Sequence, residues 1–245
     1  MRRILITGAT SAIAQEAARH FAADGDAFFL VGRDSGKLAA VADDLRARGA
    51  KEVKTEVVDL LDLARCSQLI EEAVEKLGGL DALLVAQGTL PDQAACEADP
   101  RRTLREFSLN AMGPITLLLK AAARFENQRS GCLAVITSVA GVRGRRSNYV
   151  YGSAKAAVST FLEGLRGRMA DAGVSVVDIR PGFVDTPMTA HLSKNALFAT
   201  AAAVGERVYR AMRTGEAVVY APWFWRWIAL VIQLIPRSIF AKLPI

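Results

Sequence analysis

Short runs of β-branched and other apolar residues alternate along the whole chain with longer stretches of helical period, and they never separate into a block of strands and a block of helices. Runs near Arg3–Thr7, Ala27–Gly32, Glu52–Val58, Ala82–Ala86, Leu133–Thr137, Ser175–Arg180 and Ala217–Tyr220 predict strands with helices between them. Right-handed crossovers between parallel strands then build a doubly wound α/β sheet with helices on both faces. Ligands in such sheets bind beyond the carboxyl ends of the strands. No repeat, low-complexity stretch or linker interrupts the pattern, so one domain is expected over residues 1–221, followed by a hydrophobic extension over 222–245.

Composition excludes several functions. With 245 residues the chain can bury a full core, and three scattered cysteines (Cys66, Cys96, Cys132) form neither a disulfide framework nor, with His20 and His191, any metal-ligand spacing. Lys+Arg 31 against Asp+Glu 25 leaves +6, and no compact basic run interleaves with aromatics, so nucleic acid is not the expected partner. The opening MRRILITGAT breaks its apolar stretch at Thr7 and Gly8, too early for a signal-peptide core, which predicts a cytoplasmic protein.

ILITGATSAIAQEAARHFA places a buried strand before Gly8 and an amphipathic helix after Ile13. That arrangement aims free backbone N–H groups over Gly8, Thr10, Ser11, Ala12 and Ile13 at a pyrophosphate, and its bland alternative is a tight turn with no ligand. After the second strand, Gly32 leaves the position of a ribose-binding acid empty and Arg33 follows it. An arginine there can pair with a 2′-phosphate, so NADP(H) is favoured and NAD(H) is the alternative. Asp59 follows the third strand, where it can also cap the next helix.

Tyr151 and Lys155 stand one helical turn apart on the same face. A phenol titrates near 10, and a neighbouring cation is expected to lower it into a useful range. Gly152, Ser153 and Ala154 between them are small, which keeps the helix surface open beside a flat ring. Ser138, at the end of the fifth strand, can donate to a substrate carbonyl, and Asn110 in LNAMG is placed to hold a water for proton relay.

Taken in order, the TG turn, Asp59, Asn110, Ser138, the Tyr151–Lys155 pair and Pro181-Gly182 resemble the short-chain dehydrogenase/reductase family over the whole chain. The resemblance implies a Rossmann-like fold, NAD(P) binding and hydride transfer to or from a carbonyl carbon. It implies that Asp59 and Leu60 meet the adenine, that Ala86 and Gly88 pass the cofactor, and that Pro181, Gly182, Val184 and Thr186 lie against the nicotinamide carboxamide. Asn110, Ser138, Tyr151 and Lys155 become the catalytic set, and Tyr151 and Lys155 also touch the nicotinamide ribose. The chain departs from the family pattern at Ala12 and Ala14, where glycines are usual, and at Ala86-Gln87-Gly88, where Asn-Ala-Gly is usual. The family also implies a homodimer or homotetramer.

Three stretches, RRSNYVYGSAKAAV at 145–158, IRPGFVDTPMTAHL at 179–192 and YAPWFWRWIALVIQLIPRSIFAKLPI at 220–245, resemble one subgroup. These are the decaprenylphosphoryl 2-keto-pentose reductases of arabinose-donor synthesis, which follow a flavoenzyme oxidase. The resemblance implies a polyprenyl-phosphoryl sugar substrate and that oxidase as partner. Arg143, Arg145, Arg146 and His191 are its candidate substrate contacts, against the plainer reading of solvated surface. The apolar run from Trp223 to Ile235 is too short to span a bilayer and is broken by Arg226. Trp223, Trp225 and Trp227 with Arg226, Arg237 and Lys242 suit peripheral contact with the inner membrane face, or packing against a subunit or the active-site mouth. A general ketoreductase of oxoacyl, steroid-like or polyol substrates and a non-catalytic NAD(P)-binding regulatory protein are the rival functions.

Overall fold

The computed structural model describes residues 1–243, so Pro244 and Ile245 of the expected extension lie outside the described residues. The strands are β1 (Arg3–Thr7), β2 (Ala27–Gly32), β3 (Glu52–Val57), β4 (Ala82–Val85), β5 (Gly131–Ile136), β6 (Val174–Pro181), the two-residue β7 (Val184–Asp185) and β8 (Ala199–Thr200), and β9 (Val218–Ala221). The helices are α1 (Ala12–Ala23), α2 (Ser35–Ala47), α3 (Leu63–Leu77), α4 (Gln93–Ala98), α5 (Pro100–Phe107), α6 (Gly113–Gln128), α7 (Tyr149–Met169), α8 (Ala201–Thr214), α9 (Trp225–Leu234) and α10 (Arg237–Phe240). Seven parallel strands form one sheet in the order β3-β2-β1-β4-β5-β6-β9, while β7 and β8 pair separately.

Strands buried on both faces must be apolar at every position, which is why β2 and β4 read as unbroken hydrophobic runs. Alternate residues serve opposite layers. Leu5, Phe29, Leu83 and Leu133 join the core beneath α3, α6 and α7, whereas Ile4, Phe28, Leu84 and Ala134 join the core beneath α1, α2 and α8. Strand order reverses between β1 and β4, so the connections that follow Thr7 and Val85 lead to opposite sides, the place of the crevice where ligands bind in such sheets.

Carboxylates cap four successive helices: Asp34, Asp62, Asp92 and Asp99 each accept from a backbone N–H in the first turn of α2, α3, α4 and α5. The cap of α3 is therefore Asp62, and Asp59 instead turns back to accept from Leu61 N at 3.1 Å. At the other end of the chain, α9 stops at Ile235, which Pro236 holds in an extended conformation. Ten residues make a helix of about 15 Å, half of a hydrocarbon core of about 30 Å. Among the described residues no helix is long and apolar enough to cross a membrane.

Candidate active site

The turn after β1 is shaped by contact with the turn after β4. Gly8 takes φ +68, and a Cβ there would lie 2.5 Å from Gln87 N, so only glycine permits both the conformation and the approach. Ser11 starts α1 without a side-chain cap. The first N–H groups of that helix are thus left for an anion over Thr10, Ser11, Ala12 and Ile13. Ala14 is fully buried in the core under α1, and Ala12 is half-buried at the head of the helix. Gly88 supplies a second cradle, because a Cβ there would lie 2.8 Å from Asn110 Oδ1 and 3.2 Å from Lys155 Nζ. These features fit a dinucleotide laid from α1 towards Lys155.

Arg33 is exposed beyond β2 and shares a cavity of about 480 Å³ with Leu61, Thr89 and Leu109 and with Arg101, Arg102 and Arg105 of α5. Leu60 is buried, Asp59 is exposed, and Ala86 is half-buried at the end of β4. Pro181 is buried, and Gly182 and Thr186 are half-buried. Val184 is packed in the core, and Thr186 starts a short turn whose Thr189 hydroxyl accepts from Thr186 N at 3.3 Å.

Ser138 lies two residues beyond β5, in the turn that leads away from it, and its hydroxyl accepts from Ala140 N at 3.1 Å. Close packing brings that turn to α7: a Cβ at Gly152 would lie 2.8 Å from Ala140 O, and one at Gly141 would lie 2.8 Å from Ala156 N. Gly152 is small for this contact rather than for an open face beside the cofactor. Ser138 consequently faces Tyr151 and draws its pKa down, but burial dominates and pushes the phenol up to about 12. Lys155, 4% exposed, donates to Ile136 O at 3.2 Å, and burial pushes it down to about 8 against the opposing charge of Asp178. The expected lowering of the phenol by the lysine is therefore not the resting state of this site. Desolvation outweighs the Ser138 hydrogen bond for Tyr151 and the Asp178 charge for Lys155.

Asn110 sits in a π-helical turn between α5 and α6, a local widening common at functional sites. Its Oδ1 accepts from Thr89 N at 3.2 Å, and its Nδ2 donates to Glu106 O at 3.0 Å and Thr89 Oγ1 at 3.3 Å.

The candidate substrate residues divide. Arg143 is committed to the C-terminal helices: it donates to the carbonyls of Ile232, Gln233 and Ile235, and its guanidinium stacks 3.9 Å from the Phe240 ring centre. Arg145 is half-buried, and desolvation lowers its pKa, whereas Arg146 is exposed and lines a cavity with Arg143 and Arg237. His191 is exposed in the stretch after Thr186. The three tryptophans divide as well. Trp223 and Trp227 are 72% and 56% exposed, but Trp225 is buried, and its indole fills the space that a Cβ on Gly182 would occupy. Trp225 and Trp227, two apart on α9, point to nearly opposite sides, so Trp225 turns inward.

The family model for short chain dehydrogenase matches residues 2–197. This chain belongs to that family. Curated relatives of this short-chain dehydrogenase include an uncharacterized oxidoreductase of Mycobacterium tuberculosis, 36% identical over 98% of the chain and 96% of the relative. An uncharacterized oxidoreductase of Streptomyces coelicolor is 34% identical over 99% of the chain and 96% of its own length. Among solved structures, levodione reductase superposes with TM-score 0.80 at 24% identity over 89% of the chain and 95% of its own. The bulky-bulky ketone specific alcohol dehydrogenase of Comamonas testosteroni gives 0.81 at 24% identity over 97% and 96%. The short-chain dehydrogenase is thus a Rossmann-like oxidoreductase of a family that binds NAD(P).

The sequence reading missed three members of this dehydrogenase site. Asp178, fully buried, accepts from Thr137 Oγ1 at 2.5 Å and from Arg180 Nε at 2.7 Å, and its charge acts on Lys155. Thr89 holds Asn110, and Trp225 backs Gly182. No signal short of the folded contacts marks Thr89 or Trp225, but an aspartate inside an apolar strand run was a visible anomaly at Asp178.

Proposed function

We propose that this enzyme is an NADPH-dependent reductase of the 2-keto group of a polyprenyl-phosphoryl pentose, acting at a membrane surface. The observation that carries the reaction type is the meeting of Tyr151, Ser138, Lys155 and Asn110 at one end of the crevice. When bound, NADPH supplies the hydride. The chain's residues manage the proton and the charge. Burial keeps the Tyr151 phenol protonated and ready to act as an acid towards a carbonyl oxygen. As that proton leaves, the Lys155 ammonium and the Ser138 hydroxyl stabilise the forming phenolate in a site where water does not screen them. Asn110, held by Thr89 and Glu106, orients a water towards Lys155.

Arg33 supports NADPH over NADH, since its guanidinium is exposed on a cavity wall where Arg101, Arg102 and Arg105 outnumber Asp99 and Glu106, and it can pair with a 2′-phosphate. The lipid-linked pentose is supported by the three resembling stretches and by the tail, where Trp223, Trp227, Val231 and Leu234 are exposed. From Ala217 to Ile245 there is no acidic residue, and Arg226, Arg237 and Lys242 suit anionic lipid. The test is nicotinamide absorbance with NADPH and NADH while a partner flavoenzyme oxidase generates the keto lipid. Rapid NADPH oxidation, abolished by Tyr151→Phe, is expected. Reduction of soluble ketones alone, with no competition from polyprenyl phosphate, overturns the substrate assignment.

A further inference from the structure

A cavity of about 320 Å³ lies between the loop leading into α7 and the C-terminal helices, lined by Arg143, Arg146 and Arg237 together with Phe240 and Leu243. Two segments far apart in sequence form its walls. Arg143 joins them through the carbonyls at the end of α9 and through Phe240. Its bonds stabilise the C-terminal end of α9, whose carbonyls would otherwise lack partners.

Three guanidiniums line this space, and among the described residues no carboxylate does. Several arginines elsewhere are paired, Arg3 with Asp81, Arg65 with Glu72, Arg168 with Glu126 and Arg207 with Glu216. Among the described residues neither Arg146 nor Arg237 joins an ion pair. Like charges gathered without counter-ions raise the energy of the folded state unless an anion neutralises them. The apolar part of the lining limits the anion further, because a bare ion would leave Phe240 and Leu243 facing water.

We propose that this cavity binds the phosphate ester of an amphiphile, with Arg146 and Arg237 on the phosphate oxygens and Phe240 and Leu243 against the start of an apolar chain. Arginine suits this role through its planar set of donors. Leu234 and Ile239, exposed on the same two helices, offer further apolar surface to the chain. The cavity takes the class of head group that the proposed substrate carries, and it rests on that reading for the natural ligand but not for binding itself.

Calorimetry on the full chain with octyl phosphate below its micelle concentration, inorganic phosphate and octanol tests the proposal. Octyl phosphate is expected to bind at least about tenfold more tightly than either fragment. Arg146→Ala and Arg237→Ala should each remove about tenfold of that affinity with melting temperature unchanged, while Lys51→Ala, exposed at the far edge beside β3, should remove none. Equal binding of octyl phosphate and inorganic phosphate, or variants that bind like the parent, overturns it. Variants that lose phosphatidylglycerol vesicles yet keep octyl phosphate also overturn it, because the arginines would then serve a bilayer surface. If octyl phosphate binds as expected but does not compete with the keto lipid, the cavity stands as an amphiphile site and only its link to the substrate's head group falls.

Discussion

The Lys155 ammonium lies 5.7 Å from the centre of the Tyr151 ring, and burial drives their pKa values in opposite directions, to about 8 and about 12. As pH rises, the resting site loses the lysine charge well before the tyrosine proton. Carbonyl reduction that needs both should be level below about pH 8 and fall above it by about tenfold per pH unit, as for one titrating group. A kcat/KM profile for ketone reduction checks this. Asp178→Asn should move the break to lower pH, because the Asp178 charge holds the lysine pKa up. A profile still level at the ordinary lysine value of 10.5 would show that Lys155 does not set the alkaline limit.

Burial of Lys155 also weighs on stability. Its pKa is 10.5 unfolded and about 8 folded, so between those values the unfolded chain binds more protons and stability rises with pH. Below about pH 8 the penalty is fully present, at about 3 kcal/mol. Lys155→Met should therefore abolish turnover yet raise Tm at neutral pH by several degrees, at about 2–4 °C per kcal/mol. That gain should vanish in scans near pH 10.5. A lower Tm at neutral pH would mean that the bond to Ile136 O outweighs desolvation.

Gly88→Ala isolates the meeting point of Asn110 and Lys155. The added methyl would lie 2.8 Å from Asn110 Oδ1 and 3.2 Å from Lys155 Nζ, at a φ of +158 that side chains rarely adopt. Both polar groups must shift, while the core strands on either side are untouched. We expect kcat to fall at least a hundredfold, about 3 kcal/mol of barrier, with circular dichroism unchanged. Retained turnover would remove Asn110 and Lys155 from a shared role.

The strands were legible because a doubly covered parallel sheet demands unbroken apolar runs, and β1 and β2 fall where the pattern puts them. β5 begins at Gly131, since pairing with β6 extends it beyond its apolar run. Tyr151 and Lys155 were legible because their relation is local, one turn of one helix. Arg143 was not: its partners are backbone carbonyls about ninety residues away, and carbonyls carry no sequence signal. Nor was the sign of the Tyr151 shift, because a four-residue spacing places the lysine nearby but does not show the burial that pushes the phenol up.

Trp225 ties the C-terminal segment to Gly182, just beyond β6. Its indole occupies the Cβ space of Gly182 and meets Phe183 edge-on at 5.3 Å, and Phe183 stacks on Phe198 at 5.3 Å. The backbone at Gly182 therefore has an aromatic wall behind it and a second aromatic contact to the segment that precedes α8. Trp225→Ala removes that wall and should destabilise the fold by about 3–5 kcal/mol. Its functional mark should be selective. Affinity for NADPH should fall about tenfold, while 2′-phospho-ADP-ribose, which lacks the nicotinamide, binds as before. Equal losses for both ligands would instead assign Trp225 to the general stability of the domain, and fluorescence titrations of the two ligands read the difference directly.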